Sequence, residues 1–393
     1  MPVSIQELVG FAKTSSDLES RPMRIRYNES QTIQSGQYFR MTFPRVADDL
    51  LDLRSIKMRF TLNLLGAGAD MAVDASSISC LVNRMRCLSG SQVLMDISEA
   101  STLLQLERNV ETATHDNRYV RYLEGSENLA TRQAYPRSRE YVCDIAPIGS
   151  LLNCDAVLPL SKLSSLHLEV WLETPQRVLF SPDGSGDYSL SGVELLCNYI
   201  RSPSISAYFV SSPLSFHIRD YSHRLNIIQS SQALCRFSSA HTSLNKIVTL
   251  LRPQSQVSGI TTSGKLDTTY SGVNISSYNL HVNNSLYYEE AVDSNEQSFT
   301  HFLSSFPQLA TSEHFDTGYN TTKHLICVDM SAAPPAFQAE ISSGKKTSSL
   351  NSDIVLKLDL TTTPAETIRA DSYLMSDALV YLDGQKGDLK IKY

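Results

Sequence analysis

Strictly alternating apolar and polar residues are the feature that most constrains the fold of this 393-residue chain. Residues 56–64 place Ile56, Met58, Phe60 and two leucines on one side of an extended strand. Residues 166–172 repeat this pattern with leucine and valine. A period of two predicts strands with one buried face and one wet face, as in a β-sandwich.

The alternating pattern recurs in the second half of the chain. A strand beginning near Ile56 has a counterpart near Ile247, and one beginning at Leu166 has a counterpart at Ile354. Helical periodicity at 98–111 recurs at 296–306. These landmarks keep the same order at offsets of 188 to 196 residues, which indicates a tandem duplication of one β-rich module. We therefore expect an arm over 1–30, one sandwich over 31–205 and a second over 206–393.

The N-terminal segment has a different period. Ser4 and Glu7 fit a capping box, and four apolar residues then fall on one face of a short helix. These residues are Ile5, Leu8, Val9 and Ala12. A lone helix of this length is marginal in water, so it must dock on its own domain, a neighbouring subunit or a membrane surface. A short basic stretch follows, made of Arg21, Arg24 and Arg26. It could face nucleic acid or lipid, although a solvated arm is the preferred interpretation.

Composition narrows the function classes. The net charge is −7, whereas a protein that wraps nucleic acid normally has a basic excess. The seven cysteines are widely spaced, odd in number and mostly within apolar runs, so they are predicted to be reduced and structural. The N-terminus lacks the charged leader of a signal peptide, which favours a reducing compartment.

Catalytic signatures are missing. GITTSGKL, residues 259–266, satisfies the start of a phosphate-binding loop, but Leu266 stands where a Ser or Thr must reach magnesium. His217 and His223 have no accompanying ligand pattern, so they are predicted to be surface or satisfied histidines. No catalytic, metal or cofactor residues are expected. Trp171 opposes the leucine face of its strand, where it lies either in an interface or at an ordinary sandwich edge.

The order of these segments resembles the double jelly-roll major capsid proteins of eukaryotic DNA viruses and virus-like elements: virophages, polinton-like viruses and adintoviruses. The likeness rests on stretches such as AVLPLSKLSSLHLEVWL, HTSLNKIVTLL, LHVNNSLYYEEAV with the helix EQSFTHFLSSF, and SDIVLKLDL followed by ADSYLMSDALVYLDG. It covers most of residues 31–393. The polar stretches at 112–138 and 254–274 would then be surface loops.

The resemblance implies an all-β chain of two tandem eight-stranded jelly rolls, each with a short inserted helix, preceded by the amphipathic arm. It implies a homotrimeric, pseudo-hexagonal capsomer that tiles an icosahedral virion shell. Vertex (penton) and minor capsid proteins, and an internal membrane, are further implied partners, without sequence-specific nucleic acid binding. The arm and its arginines would contact the inner face or a neighbouring capsomer. The chain would be made in host cytoplasm.

Two other classes stay open. One is a minor virion protein, such as a spike or vertex component, or a carbohydrate-binding β-sandwich. The single tryptophan argues against the sugar-binding alternative. The other is an enzyme on a sandwich scaffold, which would need a convergent histidine and carboxylate site that no spacing in the sequence indicates.

Overall fold

The computed structural model describes residues 18–27, 31–66, 70–74, 77–111, 129–203, 205–206, 214–238, 240–257, 259–263, 275–283, 285–306, 325–332, 344–347, 353–383 and 388–392. Predictions that fall on the remaining residues, including the helix with Ile5, Leu8, Val9 and Ala12, lie outside this described part.

The described residues of the first half of the chain form thirteen strands. In order they are β1 Glu19–Arg26, β2 Ile33–Gln34, β3 Tyr38–Phe43, β4 Asp49–Asp52, β5 Lys57–Leu65, β6 Ala72–Val73, β7 Val82–Ser89, β8 Gln92–Ile97, β9 Ser138–Cys143, β10 Val157–Pro159, β11 Leu166–Leu172, β12 Leu179–Phe180 and β13 Asp187–Arg201. The larger sheet contains β1, β13, β5 and β9 side by side, and the short strands β2, β4 and β10 extend it. The smaller sheet has the order β3-β11-β7-β8, and β6 pairs with β12.

In the second half of the chain, the residues that the structure describes form nine strands. They are β14 Leu214–Ile228, β15 Gln232–Ser238, β16 Leu244–Pro253, β17 Ile275–Val282, β18 Ser285–Leu286, β19 Ile326–Asp329, β20 Asp353–Leu360, β21 Ile368–Asp383 and β22 Asp388–Lys392. One sheet has the order β14-β21-β16-β19 with β22 on β21, and the other has the order β15-β20-β17-β18. We call the two halves roll 1 and roll 2.

The helices assigned in the described part of the chain are few and short. They are α1 Ala100–Glu111, α2 Leu129–Gln133, α3 Pro175–Val178, α4 Gln254–Val257 and α5 Asn295–Ser305, with 3-10 turns at Leu53–Ser55, Ile78–Leu81 and Leu160–Lys162. The two long helices occupy equivalent places, because α1 follows β8 and α5 follows β18. Ser294 caps α5 by accepting a hydrogen bond from the Gln297 backbone.

The two rolls have the same strand order, sheet by sheet. Strand β3 corresponds to β15, β11 to β20, β7 to β17 and β8 to β18 in the smaller sheets. Strand β1 corresponds to β14, β13 to β21, β5 to β16 and β9 to β19 in the larger ones. Equivalent elements begin 187 residues apart for β5 and β16, and 195 apart for α1 and α5. The all-β fold class with two tandem rolls, each carrying an inserted helix, is confirmed.

Strand β1 changes the expected extent of the arm. Residues 19–26 pair in register with β13, from Glu19 opposite Arg201 to Arg26 opposite Glu194. Ile25 is buried in the core of roll 1, and Met23 packs against that core. The period of two therefore starts before residue 31. The proline and the arginines of this segment obscured the period in the sequence, because the outward-facing positions are the charged ones. The structure places residues 19–26 in the sandwich and not in the arm.

The core is continuous across the two rolls. A single buried cluster contains residues from both, including Tyr221, Val248 and Tyr373 of roll 2 together with most apolar residues of roll 1. A second cluster lies between the two sheets of roll 2. The larger sheet of roll 2 is consequently buried on both of its faces, one against its own smaller sheet and one against roll 1.

Candidate functional site: the contact between the rolls and the exposed sheet faces

The contact between the rolls contains a buried ion cluster, centred on Asp371 of β21. Its carboxylate accepts hydrogen bonds from Arg252 Nη2 at 2.6 Å and from Arg369 Nε at 2.9 Å and 3.0 Å. His223 Nε2 lies 2.9 Å from Asp371 Oδ1, the carboxylate oxygen that Arg252 does not contact. The side chains of Arg252 and Asp371 are 1% and 0% exposed. This aspartate is therefore fully buried, and Arg252 and Arg369 compensate its charge.

Roll 1 supplies the other half of the cluster. Glu99, directly before α1, lies 2.9 Å from Arg369 and 2.6 Å from Arg177. Arg177 also contacts Glu173 at 3.2 Å. Three carboxylates thus face three guanidinium groups, which gives a neutral set. Charges can be buried in such a cluster because each one lies beside a charge of opposite sign, which offsets the cost of removing it from water.

The electrostatic consequence is a strong preference for the ionised carboxylates. Burial alone would raise the pKa of Asp371, but Arg252, the hydrogen bond from His223 and Arg369 hold it far below its ordinary value. Burial likewise opposes ionisation of Glu99, while Arg177 and Arg369 lower its pKa. Neither group titrates in the range typical of a general acid or base near neutral pH. The cluster joins the rolls and has no catalytic geometry.

Three hydrogen bonds to backbone carbonyl oxygens of roll 1 also cross the contact between the rolls. Tyr373 Oη donates to the Glu99 carbonyl oxygen at 2.9 Å, and Tyr221 Oη donates to the Ile148 carbonyl oxygen at 2.6 Å. The Arg219 amide donates to the Gly149 carbonyl oxygen at 2.8 Å. Roll 2 therefore docks through the outer face of its larger sheet onto the start of α1, the loop around Ile148 and the edge strand β8.

No described residue outside roll 1 covers the equivalent face of roll 1. A ladder of ion pairs crosses its four strands: Arg26 to Glu194 at 3.0 Å, Glu194 to Arg59 at 3.4 Å, and Arg59 to Glu140 at 2.6 Å. Arg24 is exposed on the same face. Arg21 instead pairs with buried Asp49 at 3.4 Å. The three arginines singled out from the sequence are thus brought onto one strand, but two of them are paired with carboxylates.

The outer face of the smaller sheet of roll 1 carries Trp171. Its ring lies 4.8 Å from the Tyr38 ring, and the Arg84 guanidinium lies 5.2 Å from it. Arg84 makes a bidentate pair with Asp96 at 2.6 Å and 2.7 Å. Tyr38 is 44% exposed. The position opposite the leucine face agrees with the sequence analysis, and the choice between an interface and an ordinary edge stays a prediction.

The cysteines are buried and free within the described residues. Burial raises the pKa of the Cys235 thiol, and of the Cys197 thiol, to about 12. Thiols of this kind are poor nucleophiles and poor metal ligands at neutral pH. Their position in apolar interiors is the one expected from the sequence.

The described residues lack both a metal-binding group and a membrane-spanning helix. They contain no group of three or more histidine, cysteine or acidic side chains arranged to hold a metal ion. They also contain no helix with the length and hydropathy needed to cross a bilayer. His223, one of the histidine pair noted in the sequence, is satisfied by Asp371.

Sequence reasoning missed the ion cluster altogether. Its six charged members are spread from residue 99 to residue 371, and only the docking of the rolls brings them together. A signal does exist: Arg252 directly follows the apolar run Leu250–Leu251 in β16. Such a position on a buried face demands a partner.

Comparisons with known proteins locate this fold among solved structures. No protein-family model matches the sequence, and no curated protein matches it significantly. The Faustovirus major capsid protein matches with a TM-score of 0.70 and 9% identity, covering 92% of this chain and 90% of that chain. The PBCV-1 virus capsid matches with a TM-score of 0.68 and 11% sequence identity, covering 95% of this chain and 97% of that chain. The mavirus major capsid protein matches with a TM-score of 0.55 and 9% sequence identity, covering 96% of this chain and 90% of that chain.

The chain accordingly has the double jelly-roll capsid fold. The proteins that share it here are major capsid proteins of viruses, and the likeness extends over nearly the whole of both chains. At these identities the likeness defines the fold, and the resemblance noted from the sequence is confirmed at that level.

Proposed function

We propose that this chain is a non-enzymatic major capsid protein, which forms a homotrimeric, pseudo-hexagonal capsomer and tiles an icosahedral virion shell. The observation that supports this most is the shared fold over almost the full length of capsid proteins of comparable size. Within the described residues, the buried charges are paired across the contact between the rolls and present no catalytic arrangement. The boundary between the rolls is proposed near residue 205, between the end of β13 and the start of β14.

The geometry of the contact between the rolls supports self-association. That contact is heterologous, because the larger sheet of roll 2 packs on α1 and β8 of roll 1. Among the described residues, nothing covers the corresponding surfaces: the larger sheet of roll 1 with its ion ladder, and α5 with the edge strand β18 of roll 2. Leu286 of β18 is 54% exposed. A second copy can repeat the same contact, and head-to-tail contacts of this type form rings when the rotation closes.

Three copies would place six rolls in one ring, as the resemblance implies. In this proposal the exposed ladder Arg26–Glu194–Arg59–Glu140 lies in the interface with the next copy. The arm, with Ile5, Leu8, Val9 and Ala12, lies on the inner face and contacts a neighbouring capsomer, a minor protein or an internal membrane. Arg21 and Arg24 lie near the exit of the arm. Vertex proteins are further partners of the shell in virions formed in an infected cell.

Solution mass tests the proposal directly. Size-exclusion chromatography with light scattering should give about three times the chain mass of 43.7 kDa. A persistent monomer across the accessible concentration range would contradict the proposal. Electron microscopy of expressing cells should then show capsomers or closed shells.

Two variants test whether the larger sheet of roll 1 forms the interface between copies. Arg59→Glu inverts the centre of the ladder and should dissociate the trimer, because two carboxylates then flank a third acidic side chain. Arg54→Glu is the matched control, since Arg54 belongs to an exposed pair outside the ladder. If both variants remain trimeric, the larger sheet of roll 1 is not the interface.

A further inference from the structure

One carboxyl group at the contact between the rolls, that of Asp220, has no cationic partner among the described residues. Asp220 is partly buried and lies in β14 between Ile218 and Tyr221, both of which belong to the buried cluster that the two rolls share. Strand β14 packs against the edge strand β8 of roll 1, which carries Asp96. The carboxyl group therefore lies where roll 2 docks on roll 1, and a group of like charge faces it.

The closest neighbours of Asp220 on its own sheet face are neutral. Ser376 of β21 is directly opposite it, and Ser222 follows two residues later on the same face of β14. Both serine hydroxyls are buried and have no hydrogen-bond partner among the described residues. Arg224, the next charged residue on this face of β14, is exposed and donates to the backbone carbonyl of the preceding residue. Burial of an ionised carboxylate in such surroundings costs free energy, whereas the protonated carboxyl is neutral and has an O–H donor that a hydroxyl can accept.

The charged groups of the surrounding strands do not offset this cost. Asp96 of β8 carries the same charge and opposes ionisation of the carboxyl group in β14. The two cations beside Asp96, Arg84 and Arg86, are both paired with it, at 2.6 Å and 3.4 Å. Arg219 and Asp377, which are opposite each other on β14 and β21, point to the other face of the sheet.

We propose that Asp220 makes the contact between the rolls sensitive to pH: the contact is tight while Asp220 is protonated and is weakened when Asp220 ionises. Burial, with a further contribution from Asp96, raises the pKa of Asp220 to about 6, whereas an aspartate in an unfolded chain titrates near about 4. The stabilising effect of the neutral group is therefore complete below about pH 4 and is lost as the pH rises through about 6. This element acts within one chain, so it does not depend on the proposed capsid function.

Asp220→Asn tests the proposal, because asparagine keeps the size of the side chain and is neutral at every pH. Hydrogen exchange of the purified full-length protein, followed by mass spectrometry, measures the protection of the amides in β14 and β8. At about pH 8 these amides should exchange at least about fivefold more slowly in Asp220→Asn than in the wild type. At about pH 4 the two proteins should exchange equally, since both then carry a neutral side chain. Asp155→Asn removes an exposed carboxylate outside the contact and should match the wild type at both pH values.

The sole tryptophan of the chain gives a second readout. Trp171 lies 5.2 Å from the Arg84 guanidinium, and Arg84 pairs with Asp96. The fluorescence of the native wild-type protein should change with a midpoint near about pH 6, and Asp220→Asn should lack this transition. Asp96→Asn should lower the midpoint, because it removes the like charge that opposes ionisation of Asp220.

Equal amide protection in the wild type and Asp220→Asn at both pH values would overturn the proposal. A fluorescence transition that survives the replacement unchanged would do the same, and so would a gain in protection spread evenly over both rolls. If Asp220→Asn fails to fold, Asp96→Asn decides: a lowered midpoint supports the proposal, and an unchanged midpoint refutes it. A monomer in light scattering would contradict the capsomer and not this element, since both readouts concern a contact within one chain.

Discussion

The buried ion cluster between the rolls makes the energetics of this fold testable. Asp371→Asn removes the charge that compensates Arg252, while it keeps the size of the side chain. The Arg252 side chain is 1% exposed and cannot reach water without separating the rolls. Removing one partner of such a pair costs about 3–5 kcal/mol of unfolding free energy. In contrast, Asp155→Asn removes an exposed partner of Arg54 and should cost at most about 1 kcal/mol.

Urea unfolding at a fixed protein concentration measures this difference, because association makes the apparent stability depend on concentration. The pH dependence gives a second check. Asp371 has a lowered pKa in the folded state, so its contribution is fully present above the ordinary carboxyl pKa of about 4 and is lost as the pH falls further. The gap between the wild type and Asp371→Asn should stay constant from about pH 5 to 8 and narrow below about pH 4.

A double replacement distinguishes the cost of breaking the ion pair from the cost of burying its charges. Arg252→Met with Asp371→Leu removes both charges and should recover part of the loss, because an apolar pair avoids the desolvation cost. The reasoning is refuted if Asp371→Asn alone changes the unfolding free energy by less than about 1 kcal/mol, or if its effect grows towards low pH.

Three further predictions concern other parts of the chain. Burial raises the pKa of Asp220 to about 6, and Asp96 adds to this rise, so Asp220→Asn should stabilise the protein by about 1–3 kcal/mol at pH 8. The same variant should match the wild type near pH 4 in urea unfolding, since both then carry a neutral group. Deleting residues 1–17 should leave trimers intact and impair shell assembly, whereas deleting 1–26 should also lower the melting temperature because it removes β1. All seven thiols should react with Ellman's reagent after unfolding, and the native protein should react far more slowly.

The sheets could be predicted from the sequence because their period of two is a local property. The strands β5, β11 and β20 alternate without interruption, and the repeat offset follows from comparing them. β1 was missed for a physical reason: it is an edge strand whose outward positions hold Arg24 and Arg26, so only Met23 and Ile25 report the buried face. Edge strands are commonly charged, which prevents unwanted pairing and weakens the sequence signal.

The contact between the rolls lay beyond sequence reasoning, since it depends on how two finished sandwiches dock. The alternation in β16 and β21 indicates one buried face for each strand, yet both faces are buried. Arg252 and Asp371 lie on the second buried face.

Because the two rolls share one strand order, the same sheet face occurs twice in the chain, once buried and once exposed. On its inner side, each of the two larger sheets covers the core of its own sandwich. In roll 2 the outer side carries buried charges that match those of roll 1, whereas in roll 1 the outer side carries an ion ladder accessible to solvent. Apolar residues at the exposed face would form a patch prone to aggregation before assembly. In the proposed trimer, the paired charges would supply the directional contacts with which a head-to-tail neighbour selects one orientation.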